Sequence, residues 1–319
     1  MSTTYPLVRY RFDFEVTRAL RLPEYAGSTL RGVFGRALRQ LACVTRAKDC
    51  RGCLLQRTCP YPAVFEPAKP EAVTLKNIAT VPVPYVVEPP AWGIRDYAPG
   101  ETLSFGFTLI GNAQQHLPLC IMSWQRAFAR GVGAGDGTAE LLGVNTINEQ
   151  IDGQESSILI YQPGHGMADH LQHITLTDKL LPEQITLRFE TPLRLQHEGH
   201  ALPPSRINAR ALLMALVRRT SLLAEIYADK PLYHAAEFSA MADAANQVKS
   251  EHNLTWQDWT RYSSRQQRSM QLGGCIGDWQ LSGNLAPFQN VLRLGSWLHV
   301  GKEASFGLGK YRILMAHGT

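Results

Sequence analysis

Four cysteines fall within seventeen residues, in the run CVTRAKDCRGCLLQRTC: Cys43, Cys50, Cys53 and Cys59. The spacing is C-x6-C-x2-C-x5-C. Four thiolates can close a tetrahedral shell, and C-x2-C is a common half-site for zinc. This predicts a structural metal, with zinc first and an iron–sulfur cluster as its rival. Four cysteine ligands leave no open coordination position, so no catalytic metal is expected. Four reduced thiols in a turn-rich insertion are the plainer alternative. Cys120 and Cys275 lack such partners and read as core residues.

A second constellation lies near the end of the chain, in HVGKEASFGLGKYRI, His299–Ile313. It is not a phosphate-binding Walker loop. That motif needs glycine where Ala304 stands, and Ser or Thr where Tyr311 follows Lys310. Gly301, Gly307 and Gly309 lie between a helix and a strand. Without side chains, their backbone N–H groups can approach a phosphate chain, with Lys302 and Lys310 supplying charge. A plain tight turn is the alternative for any one of these glycines. Other basic residues suit the same ligand. Arg31, Arg36 and Arg39 lie off the apolar stripe of a helix. Arg261, Arg265 and Arg268 punctuate RYSSRQQR beside Tyr262, a mixture suited to phosphate contact and base stacking.

The elements that position these groups can be read from periodicity. YPLVRYRFDFEV alternates as a strand. GSTLRGVFGRALRQLA sets Leu30, Val33, Phe34, Ala37, Leu38 and Leu41 on one helical face, with Ser28 or Thr29 as a cap. VPVPYVVE and ETLSFGFTLIG read as strands, and LPLCIMSWQRAFARG as a helix ending at Gly131. A strand near Glu140–Ile147 or Ser157–Tyr161 completes β-α-β-β-α-β. The second half repeats the order. EQITLRFETPLRL is a strand and RINARALLMALVRRTSLLAEIY a long helix. RYSSRQQRSMQLGG and CIGDWQLSG form a hairpin broken at the double glycine, APFQNVLRLGSWLHVG is a helix, and GKYRILMA is the last strand. The fold class is therefore α+β, as two tandem ferredoxin-like (RRM-like) βαββαβ domains. The first spans 1–165, with the cysteine insertion at 43–60. The second spans 166–319, with the glycine-rich loop at 301–309. The boundary falls in the polar segment 162–178.

Composition narrows the class. Of 319 residues, 45% are hydrophobic and 18% charged, enough for two globular cores. The longest apolar runs are far too short for a membrane span, and the N-terminus lacks a signal-peptide core, so a cytoplasmic protein is expected. Net charge is +5 but uneven: residues 1–60 hold eleven Lys/Arg against four Asp/Glu, and residues 61–204 hold eight against fifteen. Basic ends around an acidic middle suit one basic cleft facing an anion.

PYVVEPP, TPLRL, RYSSRQ, LGG and above all HVGKEASFGLGKY resemble the CRISPR-associated RAMP endoribonucleases that process precursor crRNA. The four-cysteine segment ending CPYPAVFEP resembles a subset of that family. The resemblance implies tandem ferredoxin-like domains and metal-independent cleavage within CRISPR repeat RNA. The 2′-OH attacks the adjacent phosphate, leaving a 2′,3′-cyclic phosphate and a 5′-OH. It also implies that the product crRNA can stay bound and that other CRISPR effector subunits are partners. Such chemistry needs a base, an acid and cations for the phosphorane. Many relatives carry a histidine in or just after the first helix. Here no histidine precedes His116, and Tyr25, Arg31 and Arg36 occupy that neighbourhood. His299, beside the glycine loop, is the replacement the sequence offers, with Tyr262 and Lys302 completing a catalytic set. His165, His170 and His173 are weaker candidates. The alternatives are a non-catalytic crRNA-binding subunit of an effector complex, and a metal-binding protein whose basic ends hold nucleic acid generally.

Overall fold

The computed structural model describes residues 3–70, 80–149, 155–176, 180–228, 231–263 and 268–315. The chain divides into two compact units. One comprises Pro6–Lys69 and Val83–Ile174, the other Met1–Tyr5, Pro70–Pro82 and Thr175–Thr319. Position 165 therefore lies inside the first unit, which continues to Ile174.

In the first unit, β1 (Leu7–Arg18) alternates as its sequence dictates. Val8, Tyr10, Phe12, Phe14 and Val16 are buried, while Arg9, Arg11 and Asp13 take the other face. Helix α1 (Gly27–Ala42) buries Leu30, Val33, Phe34, Ala37 and Leu38, with Leu41 half-exposed. Neither Ser28 nor Thr29 caps it. The helix starts earlier, after Ala26, with no side-chain cap. Then come β2 (Tyr85–Glu88), β3 (Thr102–Ile110), α2 (Leu117–Arg130), β4 (Thr138–Glu149) and β5 (Glu155–Tyr161). Both proposed last strands exist, as an antiparallel hairpin. The sheet order is β2-β3-β1-β4-β5, with every pair antiparallel. Without β5 this is the ferredoxin-like order. The core beneath α1 and α2 is aromatic. Phe34 stacks on Trp124 at 4.8 Å between centroids, and Phe12 on Phe105 at 5.5 Å. Each such ring, fully buried, contributes about 1.5–3 kcal/mol.

The second unit repeats the plan. It has β6 (Gln184–Leu193), α3 (Ala209–Tyr227), α4 (Ala235–Gln247), β7 (Lys249–Ser263), β8 (Arg268–Ser282), α5 (Gln289–Leu298) and β9 (Tyr311–Met315). Asn208 caps α3, its side chain accepting from the Ala211 N–H at 2.9 Å. The sheet order is β7-β8-β6-β9, again antiparallel. The proposed hairpin is displaced. Its first arm is β7, which begins at Lys249, and its second is β8. Gly273 and Gly274 lie inside β8, opposite Asp258 and Gln257. They mark close approach rather than a turn. A Cβ on Gly273 would come within 2.3 Å of the Trp256 ring, and one on Gly274 within 2.9 Å of the Leu193 carbonyl oxygen. Helix α4 is an element that the periodicity had not announced. Among the described residues, no helix is long and apolar enough to cross a membrane.

Candidate nucleic-acid interface

The glycine loop joins α5 to β9 and is built by backbone geometry. His299, Gly301, Glu303, Gly307 and Gly309 all have positive φ, so the chain turns repeatedly in conformations that favour glycine. The loop docks on the end of β6. The Lys302 N–H donates to the Arg194 carbonyl (2.8 Å), Gly309 N–H to the Pro192 carbonyl (3.1 Å), and Val300 N–H to the Gly309 carbonyl (3.2 Å). The Thr191 hydroxyl donates to the Gly307 carbonyl (2.7 Å) and accepts from Lys310 N–H (2.9 Å). Val300, Ala304 and Leu308 are buried beneath.

These contacts explain the glycines differently from the sequence expectation. A Cβ on Gly301 would sit 2.6 Å from the Arg194 carbonyl oxygen, and one on Gly309 only 1.9 Å from that of Val300. Gly307 N–H donates to the Ala304 carbonyl at 2.9 Å. The N–H groups of Gly307 and Gly309 are thus engaged within the protein, and the backbone that approaches closely is its own.

The candidate catalytic residues divide by exposure. Lys302 is exposed on the loop. His299 is wholly buried, with φ 58° and ψ 171°, a region almost reserved for glycine. Beside it, Arg219 Nε donates to the Leu298 carbonyl at 2.9 Å, closing the C-terminus of α5. A ring buried in this way meets no solvent-borne phosphate, which argues against the acid–base role expected of it. Tyr262 lies on β7 opposite Ser269. Arg261 faces Met270, and Arg268 faces Ser263. Arg265 falls outside the described residues. Arg268 is five residues along β8 from Gly273, roughly 17 Å at strand rise.

Lys310 is half-buried and pairs with Glu190 at 3.4 Å; Arg312 pairs with the same carboxylate. Arg194 was not among the sequence candidates. It donates to the Gly273 carbonyl (2.7 Å), lies 4.0 Å from Glu303 Oε2, and reaches over Trp259 at 5.9 Å. It therefore ties β6, β8 and the loop together. Its only sequence signal is its place in TPLRL.

In the first unit, α1 carries the other basic group. Arg31 packs over the Phe65 ring at 4.3 Å. Arg39 donates to the carbonyls of Ala47 (2.5 Å) and Lys48 (2.9 Å) and lies 5.6 Å from the Tyr61 ring. Both brace the segment that follows α1. Of the three, Arg36 alone is classed as exposed. Gly35 lets that segment return, since a Cβ there would lie 2.2 Å from the Phe65 ring.

Cys43, Cys50, Cys53 and Cys59 are free, half-exposed thiols lining one cavity of about 20 Å³ with Thr45 and Tyr61. The Thr45 hydroxyl lies 3.9 Å from Cys43 Sγ and 3.5 Å from Cys53 Sγ. Among the described residues, no three Cys, His, Asp or Glu side chains stand in a ligating arrangement as placed. Cys120 and Cys275 are buried, and burial pushes the Cys275 thiol up to about 11. His170 is also buried, its Nδ1 3.0 Å from the Tyr10 hydroxyl, and desolvation lowers its pKa.

Comparison with known proteins places this geometry. Residues 5–173 match a family model described as an N-terminal domain, and residues 187–311 match the model of the CRISPR-associated endoribonuclease Cas6. A protein of Archaeoglobus fulgidus described as uncharacterized is 24% identical over 295 residues, covering 92% of each chain. The fold is similar to Thermus thermophilus Cas6, with TM-score 0.54 and 14% identity over 98% of this chain and 99% of that one. A Cas6 product complex gives TM-score 0.56 at 15% identity, over 97% of this chain and 100% of its counterpart. The Cas6 endoribonuclease model thus covers most of the second unit, and the fold is similar to that of Cas6 proteins over nearly the whole length of the chain.

Proposed function

We propose that this chain cuts precursor crRNA within its repeats without a catalytic metal, and that it holds the crRNA it produces. The 2′-OH gives up its proton as its oxygen attacks the adjacent phosphorus, the P–O5′ bond breaks, and the leaving 5′-oxygen takes up a proton, so one proton is released and one is taken up. The ends are a 2′,3′-cyclic phosphate and a 5′-OH. The observation that carries this reading is the Cas6 endoribonuclease match over residues 187–311, the span that contains the glycine loop. Lys302, exposed on that loop, is suited to stabilise charge developing on the phosphorane. Tyr262 is the candidate for proton transfer or for stacking on a base. Arg36, Arg261, Arg265 and Arg268 hold phosphates. His299, Arg194 and the three glycines position the loop. Other CRISPR effector subunits are the partners this reading implies. The test is a repeat RNA with 2′-deoxyribose at the cleavage position, incubated in chelator beside the all-ribose RNA. The all-ribose RNA should be cut, and the deoxy RNA should bind and stay intact. Cutting of the deoxy RNA, or an absolute need for added divalent metal, overturns the mechanism.

A second reading is favoured by one observation. No histidine precedes His116, and the histidine beside the loop is buried. A crRNA-binding subunit without catalysis needs neither. It predicts tight binding of both RNAs with neither cut.

A further inference from the structure

We propose that Cys43, Cys50, Cys53 and Cys59 bind one zinc ion as thiolates, and that this ion holds residues 43–59 folded against the end of α1. All four thiols line a single cavity, and its other walls come from the same segment and from the adjoining Tyr61 and Pro62. At about 20 Å³ it has room for a single ion, and four thiolates with no other ligand type complete a tetrahedral zinc shell. All four sulfurs are free of disulfides.

The segment also lacks the means to stay folded by packing. Val44 is 82% exposed and Leu54 99% exposed, and the segment reaches the core of the unit chiefly through Cys50 and Cys59 themselves. Its fastenings are a few turn bonds, such as Cys53 N–H to the Cys50 carbonyl (3.2 Å) and Cys59 N–H to the Leu55 carbonyl (2.8 Å), plus the two Arg39 bonds. Ordering seventeen residues costs far more conformational entropy than these bonds return. Segments of this kind are held by a disulfide or a metal. With four thiols around one cavity and no disulfide, a tetrathiolate metal is the staple that this chemistry provides. As placed, the four side chains form no ligating set, so binding asks for their rotation to Zn–S distances of about 2.3 Å.

The test uses the full chain, purified without chelator or metal-affinity resin. Elemental analysis should find about one zinc per chain. Cobalt(II) loaded in its place should show the intense visible absorption of a tetrahedral thiolate site. The double variant C50S/C53S should lose about 90% or more of the bound zinc to a competing chelator that leaves wild-type protein loaded, while Cys120→Ser retains it. Chelation should also speed tryptic cleavage after Arg46, Lys48, Arg51 or Arg57 by about tenfold or more, and added zinc should reverse this. That measurement needs no variant, so it stands if C50S/C53S does not fold. Absence of zinc together with a featureless cobalt titration overturns the proposal. So does zinc retained in C50S/C53S, tryptic cleavage unchanged by chelation, or a brown protein containing iron and sulfide instead of zinc.

Discussion

His299 and Lys302 are three residues apart and do opposite things. His299 holds a conformation that costs a non-glycine residue on the order of 1–3 kcal/mol, and its ring is sealed inside the second unit. Such a residue persists where the packing around it outweighs the strain. His299→Ala removes the ring and keeps the strain, so it should lower unfolding free energy by about 2–5 kcal/mol, as other large-to-small changes at buried sites do. Chemical denaturation reads this directly. Lys302→Ala should leave stability within about 0.5 kcal/mol, as expected for an exposed side chain. Its single-turnover cleavage should fall on the order of 10²-fold, with Lys302→Arg recovering part of the loss. If His299→Ala loses cleavage by that factor at unchanged stability, the histidine belongs to the chemistry after all.

At the scale of elements, the loop between α5 and β9 docks on the end of β6 and closes on its own backbone. Gly309→Ala drives a Cβ into the Val300 carbonyl and should undock the loop, lowering both the melting temperature and RNA affinity. Gly52→Ala is the control. It too has positive φ, but its Cβ would enter open space, so the cost is the conformational one of about 1–2 kcal/mol without a collision. Equal effects in a thermal melt would mean that close approach is not what Gly309 is for. This difference shows what sequence can announce. Glycines between a helix and a strand can be read from the chain, but the atom they make room for cannot, and at Gly301 and Gly309 a carbonyl of the protein itself stands there. The βαββαβ order was legible because β1 and α1 each bury one clean face, and because α3 is a long run of helix-forming apolar residues. Strand β7 was not, because KSEHNLTWQDWT buries chiefly Leu254 and Trp259 and leaves most of its side chains in water. Helix α4 is rich in alanine and has a weak apolar stripe. Arg39 looked like a ligand contact because nothing in its spacing reveals that two carbonyls lie in its path.

At the scale of the molecule, the second unit is assembled from three stretches of chain. Tyr5 is buried and its hydroxyl donates to the Thr220 carbonyl at 3.3 Å, while Tyr227 donates to the Pro82 carbonyl at 2.8 Å. Residues 175–319 expressed alone lack both partners. The fragment should melt at lower temperature than the same unit in the whole chain, and amide exchange should be faster along α3. Identical protection in fragment and full chain would make the first two stretches dispensable. The loop's docking bears on how such a scaffold can be put to new use. Gly309 and Gly301 answer to the carbonyls of Val300 and Arg194, so their places are set from inside the protein. The exposed side chain of Lys302 is carried by a backbone whose hydrogen bonds do not involve that side chain, so the frame holds whichever residue stands there. The loop behaves as a mount, and the tool fixed to it can change without the mount.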